Sequence, residues 1–393
     1  MEKWVLRRHS AVFAILRPLL SPFFKLIYGV TGEHFKMEKD RPYLVLSNHQ
    51  ALLDPVFIAM YTDRPIHFMA TDNVFSNGFV SRLLVHFIAP IPKKKQGADL
   101  QAMRACLAIA KKNGVVGVFP EGSRSYSGEP TEIDMGIVQL AKYMKADVLL
   151  CRIEGGYGVD PRWGKGLRRG RFHVRVAEVM EAQTVAQHSD EELLAAFTKV
   201  LAVSDAPAKT PYKSKKRAEG IESAVYLCPR CGAVETLSSK GIGFCCSACG
   251  LTGEYTEYLT LKFDDENIDL SLQQWMQLQD EWRKNYTPEA GAVIFSDGDV
   301  VLSTSDAKAA RRDKLGEGSL QLTDSALTLH SKEGGDILLP VESIKIISPV
   351  GGRKLVVTTD ALTYFIKGSV GFNPVKYTQM VYHLQGRDDR LIK

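Results

Sequence analysis

Short apolar runs alternate with longer segments of helical pattern through residues 43–179. The runs are rich in β-branched and aromatic side chains and are bounded by Gly, Pro, Asn and Asp, as strands are. They cover residues 43–46, 66–70, 115–119 and 147–153. Strands that alternate with helices are typical of a layered α/β domain, in which helices pack against a mostly parallel sheet. This stretch therefore predicts the fold class of the first half of the chain.

The first interruption of this pattern carries a histidine and an aspartate. Residues 47–54 read Ser-Asn-His-Gln-Ala-Leu-Leu-Asp and separate a predicted strand from a predicted helix that begins at Pro55. Asp54 stands where it can cap that helix. His49 falls on the strand-to-helix loop, and Asp54 is close enough along the chain to orient its imidazole. The pair predicts a general base that faces a cleft.

A second polar loop follows a later strand of the same domain. Residues 120–125 include Glu121, Gly122, Ser123 and Arg124. An arginine side chain is a fixed fork of donors that matches the oxygens of a phosphate. The loop therefore predicts a phosphate site at Arg124. A plain polar turn, in which Arg124 pairs with Glu121, is the alternative.

Two clusters of cations lie close to these loops. Lys93, Lys94 and Lys95 follow an Ala-Pro-Ile-Pro step between a predicted strand and a predicted helix, and we expect them to contact a phosphate. The second cluster has six cations and no acid: Arg162, Lys165, Arg168, Arg169, Arg171 and Arg175. Its candidate partners are an anionic membrane, an acidic carrier protein, a nucleotide-bearing acyl donor and nucleic acid. For both clusters a merely solvated loop is the alternative.

The first 36 residues mix basic side chains with large apolar ones. No uninterrupted apolar run reaches the roughly 20 residues that span a bilayer, and Arg17 breaks the pattern of a cleavable signal peptide. Pro18 and Pro22 predict two short amphipathic helices that lie among lipid headgroups. A helical hairpin packed on the protein's own core is the alternative. We expect a peripheral or monotopic protein on the cytoplasmic face of the cell membrane, with anionic phospholipid as a partner.

Four of the seven cysteines form two Cys-x-x-Cys units. The units are Cys228 with Cys231 and Cys246 with Cys249, each is followed by glycine, and fourteen residues separate them. Each unit can hold a zinc ion with two thiolates, and two units complete a tetrahedral site. Four sulfur ligands leave no open position, so we predict a structural Zn²⁺ that folds a small segment. A redox role and unliganded cysteines are the alternatives.

The last part of the chain has an all-β pattern. A helix is predicted over residues 270–286, eight short runs of strand pattern follow, and a helix over residues 374–384 ends the segment. This order predicts a small antiparallel barrel or sandwich capped by a helix. A chain of 393 residues exceeds one typical core. The predicted divisions are amphipathic helices at 1–36, the α/β domain at 37–202, a linker at 203–224, a zinc ribbon at 225–260 and the barrel at 261–393.

His49 with Asp54 five residues on, the Phe-Pro-Glu-Gly-Ser-Arg-Ser loop at residues 119–125, and the distance between them resemble the glycerolipid acyltransferase family. The likeness is to 1-acyl-glycerol-3-phosphate acyltransferases in particular, and it covers about residues 10–200. It implies that His49 is the catalytic base and Asp54 its orienting carboxylate. The residues that we expect to bind substrate are Asn48, Lys93, Lys95, Glu121, Gly122, Ser123 and Arg124. The C-terminal part resembles a zinc ribbon followed by a pleckstrin-homology or GRAM-like barrel.

The resemblance implies transfer of a fatty acyl group from acyl-CoA or acyl-carrier protein to the hydroxyl of a lysophospholipid. The first candidate acceptor is 1-acyl-glycerol-3-phosphate, which would give phosphatidic acid; glycerol 3-phosphate and an amino-lipid remain alternatives. A zinc-ribbon protein that binds nucleic acid is disfavoured, because the cations lie mostly outside the ribbon and no aromatic stacking platform accompanies them. We therefore expect no nucleic-acid partner. A catalytically inactive scaffold is disfavoured by the presence of both His49 and Asp54.

Overall fold

The computed structural model describes residues 4–71, 86, 88–93, 99–306, 313–369 and 371–388. The chain forms two compact units, Met1–Pro161 with Leu167–Tyr212 and Arg162–Gly166 with Lys213–Lys393. Residues 203–224, predicted as a linker, are divided between the two units. Tyr212, Ala218 and Ile221 are buried, so this segment is packed rather than a free tether.

The first unit is built on a seven-stranded sheet, as the alternating pattern predicts. Its strands are β1 (Val30–Gly32), β2 (Tyr43–Ser47), β3 (Ile66–Thr71), β4 (Ile91–Lys93), β5 (Val115–Val118), β6 (Asp147–Glu154) and β7 (Phe172–Met180). Their spatial order is β1, β7, β6, β2, β5, β3, β4. Strands β6, β2, β5, β3 and β4 run parallel to one another, whereas β7 is antiparallel to β6. The carboxyl ends of five strands therefore meet at one edge.

Helices cover this sheet. They are α1 (Arg7–Tyr28), α2 (Asp54–Met60), α3 (Leu100–Ala110), α4 (Gly136–Met144), α5 (Gly156–Val159), α6 (Ala182–Gln187) and α7 (Asp190–Leu201). Every residue of β2 and β5 is buried, which explains why these strands read as continuous apolar runs. Leu44 and Val116 of the sheet share one core with Ile109 of α3 and Phe197 of α7. This core fixes the strands whose ends carry the predicted catalytic loops.

The N-terminal segment forms one helix, α1, and not the two that were predicted. Pro18 and Pro22 both lie inside it. Each proline removes one intrahelical donor, but Ala14 and Pro18, whose carbonyls lose a partner, are exposed, so water can satisfy them. Contrary to the prediction from uninterrupted runs, α1 is by length and composition long and apolar enough to cross a membrane.

The second unit contains two antiparallel sheets. The smaller has β8 (Leu237–Lys240), β9 (Gly243–Cys246), β10 (Thr252–Tyr255) and β11 (Leu261–Phe263) in the order β11, β10, β9, β8. The strands of the larger are β12 (Phe295–Asp306), β13 (Asp313–Leu322), β14 (Ala326–Ser331), β15 (Gly335–Pro340), β16 (Ile346–Val350), β17 (Lys354–Thr358) and β18 (Leu362–Lys367). Its order is β15, β14, β13, β12, β18, β17, β16, so the described residues form one seven-stranded sheet. The helices of this unit are α8 (Leu272–Asn285) and α9 (Pro374–Leu384).

Helices α8 and α9 bind the parts of the second unit together. Trp275 of α8 donates from Nε1 to the carbonyl of Leu227 at 2.7 Å, which ties the helix to the segment before the first cysteine. Lys376 of α9 is buried and contacts Glu235 from the cysteine segment and Asp297 from β12, the latter at 2.6 Å. Removing one member of such a buried group would leave an uncompensated charge. Residues 225–260 and 261–393 therefore pack as one unit.

Candidate active site

His49 and Asp54 lie on the loop between β2 and α2, at the carboxyl edge of the parallel strands. His49 Nδ1 is 2.9 Å from Asp54 Oδ2, and the same oxygen accepts the backbone N–H groups of Gln50 and Ala51 at 2.7 and 2.9 Å. Asp54 is fully buried, whereas 20% of the His49 side chain is exposed. Nδ1–H donates to the carboxylate, so Nε2 carries the lone pair that can accept a proton.

The carboxylate of Asp54 does not cap α2, contrary to the prediction. Leu53 is the N-cap, without a side-chain hydrogen bond, and Asp54 is the first helical residue. Its side chain turns back towards the loop, where the imidazole and two backbone N–H groups all donate to it. Pro55 still stands in the first turn as predicted. The aspartate therefore shapes the loop and orients His49 at the same time.

Aromatic rings hold the His49 imidazole in place. The ring stacks on Phe119, with centroids 4.1 Å apart and planes 18° from parallel, and Phe119 stacks in turn on Phe68 at 5.4 Å. The backbone N–H of Ser125 donates to the carbonyl of His49 at 3.3 Å and joins the two polar loops. Sequence reasoning took Phe119 only as the end of a strand. Its position at the carboxyl end of a strand next to β2 was the signal.

Arg124 faces Asp160. Arg124 Nη1 lies 3.7 Å from Asp160 Oδ2, and that oxygen also accepts the backbone N–H of Leu52 at 3.0 Å. Leu52 belongs to the His49 loop, so Asp160 joins this loop to the one that carries Arg124. Sequence reasoning missed Asp160. An aspartate directly before Pro161, after the glycine-rich turn at α5, was the available signal.

A buried carboxylate, that of Asp205, fixes the helix that precedes Asp160. Asp205 accepts the backbone N–H groups of Gly155 and Tyr157 at 2.8 and 3.1 Å and so fixes the start of α5, which runs directly into Asp160. Gln50, next to His49, accepts the N–H of Tyr157 at 3.1 Å. Burial raises the pKa of Asp205 to about 7, although these N–H groups lower it. The loop of His49 and the partner of Arg124 are therefore braced by the same short helix.

Glu121 lies beneath the His49 loop. Only 9% of the residue is exposed, and Thr131 Oγ1 donates to Glu121 Oε2 at 3.3 Å. Burial raises the pKa of Glu121 to about 8; hydrogen bonds from the His49 backbone and from Thr131 lower it, and the charge of Asp54 raises it. In this position Glu121 braces the two loops, and its expected contact with the acceptor remains a prediction.

Glu121→Gln is expected to make the protein more stable at alkaline pH. A carboxyl whose pKa is higher in the folded state binds its proton more tightly when folded, so its stabilising contribution is full below about pH 4.5 and is lost as pH rises towards 8. Glutamine cannot ionise and escapes this loss. We expect the melting temperature of the variant to exceed that of the wild type by a few degrees at pH 8.5, with little difference at pH 4.

Thermal unfolding followed by circular dichroism between pH 4 and pH 8.5 measures this effect. Glu178→Gln, at an exposed position on β7 of the same unit, is the matched control and should show no such trend. A difference between Glu121→Gln and the wild type that does not grow with pH would contradict the buried, protonated state of Glu121.

The remaining predicted residues fall into three groups. Asn48 is fully buried, and its amide donates to the carbonyl of Ile153 and accepts from its N–H, both at 2.8 Å. β6 uses the donor and the acceptor of this amide, and the expected contact of Asn48 with substrate remains a prediction. Gly122 is exposed with φ of 72°, which glycine adopts readily, and Ser123 is half-buried. Lys93 is exposed at the end of β4, on the same carboxyl edge of the sheet as the His49 loop. Lys95 lies outside the described residues.

Comparison with known proteins identifies the class of enzyme. A model of the Acyltransferase family matches residues 29–154. The chain is an acyltransferase. The matched segment contains His49, Asp54 and the loop of Arg124, and it lies within the first unit. The predicted enzyme class is confirmed.

Three relatives of the acyltransferase have related names. The 1-acyl-sn-glycerol-3-phosphate acyltransferase of Bacillus subtilis is 24% identical over 165 residues, which are 41% of this chain and 78% of the relative. A chloroplastic 1-acyl-sn-glycerol-3-phosphate acyltransferase of Arabidopsis thaliana is 22% identical over 37% of this chain and 40% of its own. The crystal structure of the 1-acyl-sn-glycerophosphate acyltransferase of Thermotoga maritima aligns with 51% of this chain and 82% of that one, with a TM-score of 0.41 and 19% identity.

The six cations at residues 161–175 are divided between the two units. Arg162 and Lys165 belong to the second unit, and the other four belong to the first. Lys165 lies 3.6 Å from Glu219, and Arg175 lies 3.6 Å from Glu154. Acids from other segments therefore face this stretch, although it contains none itself. An anionic partner for this stretch remains a prediction.

Four cysteines of the second unit converge on one point. The Sγ atoms of Cys228, Cys231, Cys246 and Cys249 all lie within 4.8 Å of one another. A tetrahedral zinc ion with sulfur ligands at about 2.3 Å requires Sγ separations of about 3.8 Å. Two of the pairs, 228 with 249 and 231 with 246, are 3.7 and 3.9 Å apart. The donor set and its spacing fit Zn²⁺.

Proposed function

We propose that this acyltransferase transfers a fatty acyl group from an acyl thioester to the free hydroxyl of 1-acyl-glycerol-3-phosphate, which gives phosphatidic acid. The observation that carries the proposal is the 2.9 Å contact between His49 Nδ1 and Asp54 Oδ2, beside a loop with a half-buried arginine. The names of the Bacillus and Arabidopsis relatives support the choice of acceptor.

In the proposed reaction His49 acts first as a base and then as an acid. Nε2 takes the proton of the acceptor hydroxyl while the oxygen attacks the thioester carbonyl carbon, and a tetrahedral intermediate forms. The carbon–sulfur bond then breaks, and the proton passes from Nε2 to the departing sulfur, which leaves as the thiol of CoA or of acyl-carrier protein. Asp54 stabilises the imidazolium and keeps Nε2 directed outwards. The reaction needs no covalent enzyme intermediate, and a positioned base of this kind contributes about 100- to 10,000-fold.

Arg124 is proposed to hold the acceptor phosphate. Its guanidinium can give two parallel hydrogen bonds to phosphate oxygens, and Asp160 fixes its direction from the other side. Lys93, at the same edge of the sheet, adds a second positive charge. A phosphate anchored at Arg124 would hold the acceptor hydroxyl close to His49 Nε2, and such positioning lowers the barrier by converting a bimolecular step into a local one.

The acceptor is a lipid, so we propose that the protein works at the cytoplasmic face of the cell membrane. Helix α1 supports this, because Ile15, Leu19 and Leu26 are 65%, 67% and 85% exposed. An apolar helix face next to cations favours attachment to an anionic bilayer. We also propose that the four cysteines bind one structural Zn²⁺, which stabilises the second unit and takes no part in the transfer.

A product assay with the purified full chain tests the proposed reaction. Labelled oleoyl-CoA and oleoyl-acyl-carrier protein would be offered with 1-acyl-glycerol-3-phosphate, glycerol 3-phosphate and a lyso-amino-lipid, and the products would be resolved by mass. We expect phosphatidic acid from the first acceptor. Arg124→Ala is expected to raise the KM for that acceptor about 10- to 100-fold, because a hydrogen bond to a charged group is lost.

Arg169→Ala is the matched control, because Arg169 is an exposed arginine of the same unit. It should leave the KM for the acceptor and the KM for the acyl donor unchanged. An unchanged acceptor KM in Arg124→Ala would remove the phosphate role of Arg124. Preferred use of glycerol 3-phosphate or of the amino-lipid would overturn the proposed acceptor, while acyl transfer itself would stand.

A further inference from the structure

A cleft of about 860 Å³ lies at the edge of the first unit opposite His49. One wall is a face of α1 between Leu6 and Lys25, and the other includes Pro65 and Gly114, which precede β3 and β5. His49 follows the carboxyl end of β2, whereas these residues lie at the amino ends of parallel strands. The cleft is therefore remote from the proposed acceptor phosphate at Arg124.

The charge of the cleft is strongly positive. Its only acidic lining residue among those described is Asp63, and its cationic lining residues are Arg17, Lys25, Lys39, Arg64 and Lys112. Arg64 is committed to the floor, because its guanidinium donates to the carbonyls of Arg41, at 2.9 Å, and Asn113. Cations brought together in this way repel one another unless an anion lies between them.

Arg17 and Lys25 project from α1, and Arg17 is held in a fixed orientation. Arg17 Nε donates to the carbonyl of Met60 at 3.1 Å, and Nη2 lies 3.1 Å from His34 Nδ1. Partial desolvation and the charges of Arg17 and Lys25 lower the pKa of His34, so its neutral ring can accept from the guanidinium. Among the described residues, neither Arg17 nor Lys25 forms an ion pair with a carboxylate.

The opposite face of α1 is apolar and exposed. Phe23 is 54% exposed, in addition to the three aliphatic residues already described. A lipid layer that covers this face would bring headgroups to the mouth of the cleft on the other face of the same helix. Membrane lipid is thus a local source of anions for Arg17 and Lys25.

We propose that this cleft binds the phosphodiester of an anionic phospholipid headgroup through Arg17 and Lys25, with His34 beside them. The guanidinium fork matches two phosphate oxygens, and the lysine supplies a mobile point charge. Such a ligand would attach α1 to anionic membrane at a site separate from the one that holds the acceptor. Since it is recognised by its headgroup, it does not need to be a substrate.

Binding of a short-chain lipid below its micelle concentration tests this site, because no charged surface is then present. The full chain is titrated with monomeric dihexanoyl-phosphatidylglycerol in a calorimeter without acyl donor, so the outcome is independent of the proposed reaction. We expect saturable binding of one lipid, and an affinity about 10- to 30-fold weaker in Arg17→Gln/Lys25→Gln. The control Arg7→Gln/Arg8→Gln removes two charges from the same helix outside the cleft, and it should bind within about twofold of wild type.

Circular dichroism and the melting temperature confirm that both double variants are folded. An upward shift of the His34 pKa on lipid binding, followed by NMR, would place the anion beside that ring. No saturable binding, or equal loss in the two double variants, would overturn the proposal. Binding of inorganic phosphate as tight as that of the lipid would also overturn it, in favour of a free phosphate ligand.

Discussion

Replacement of His49 by alanine is expected to reduce acyl transfer by about 100- to 10,000-fold. The variant lacks the nitrogen that takes the proton of the acceptor hydroxyl, and nothing else at the loop is placed to replace it in the proposed reaction. The fold should persist, because Asp54 keeps its hydrogen bonds to the backbone of Gln50 and Ala51. Initial rates with labelled oleoyl-CoA at saturating acceptor measure the loss.

His188→Ala is the matched control for this variant, because His188 is a half-buried histidine of the same unit on the short connection between α6 and α7. It should retain full activity. Circular dichroism and the melting temperature would establish that His49→Ala is folded. Asp54→Asn adds an independent check, since an amide no longer fixes the imidazole tautomer and should also lower kcat. Turnover of folded His49→Ala within tenfold of wild type would eliminate the proposed base.

Removal of the metal from the four cysteines is expected to produce the largest loss of stability. Structural zinc contributes about 10–16 kcal/mol in isolated zinc-binding peptides, and part of that energy would fold the segment around β8–β11 when the proposed Zn²⁺ is bound. Cys228→Ser should therefore lose bound zinc and lower the melting temperature of the second unit by at least about 10 °C. Elemental analysis of the purified protein and calorimetric melting measure both quantities.

The fifth cysteine of this region provides the control. Cys245 is exposed next to Cys246 and is outside the four-sulfur cluster, so Cys245→Ser should keep one zinc per chain and the wild-type melting temperature. Treatment of the wild type with a chelator should reproduce the effect of Cys228→Ser. A protein that is purified without zinc and melts like Cys228→Ser would contradict a structural metal.

The sequence predicted best those parts of the fold that depend on local pattern. Strands β2 and β5 were recognisable because both faces of a parallel strand are covered, so that nearly every residue is apolar. Helix α9 has the predicted bounds because Asn373 caps it and Pro374 starts it. The pair of His49 and Asp54 was also accessible, since both residues lie on one short loop.

Contacts between distant segments were beyond the reach of the sequence. Asp160 lies more than thirty residues after Arg124 in the sequence, and Asp205 lies more than a hundred residues after Gln50. No periodic pattern in the sequence marks either aspartate. The two hydrogen bonds between the Asn48 amide and the backbone of Ile153 in β6 are further contacts of this kind. Pro18 and Pro22 predicted a break in α1 because each proline removes a backbone hydrogen bond. The exposure of the helix lowers the free-energy cost of that loss.

Residues Arg162–Gly166 belong to the second unit, although the residues on both sides of them belong to the first. Truncated forms of the protein must take this into account. Trp163 is 3% exposed and meets Tyr255 edge to face at 5.2 Å, and the N–H of Lys165 donates to the carbonyl of Glu219. A recombinant fragment that stops at Tyr212 would keep Trp163 but remove Tyr255, against which it packs. Loss of activity or solubility in such a truncation would therefore be explained by the exposure of residues 162–166. It would not show that the second unit takes part in catalysis.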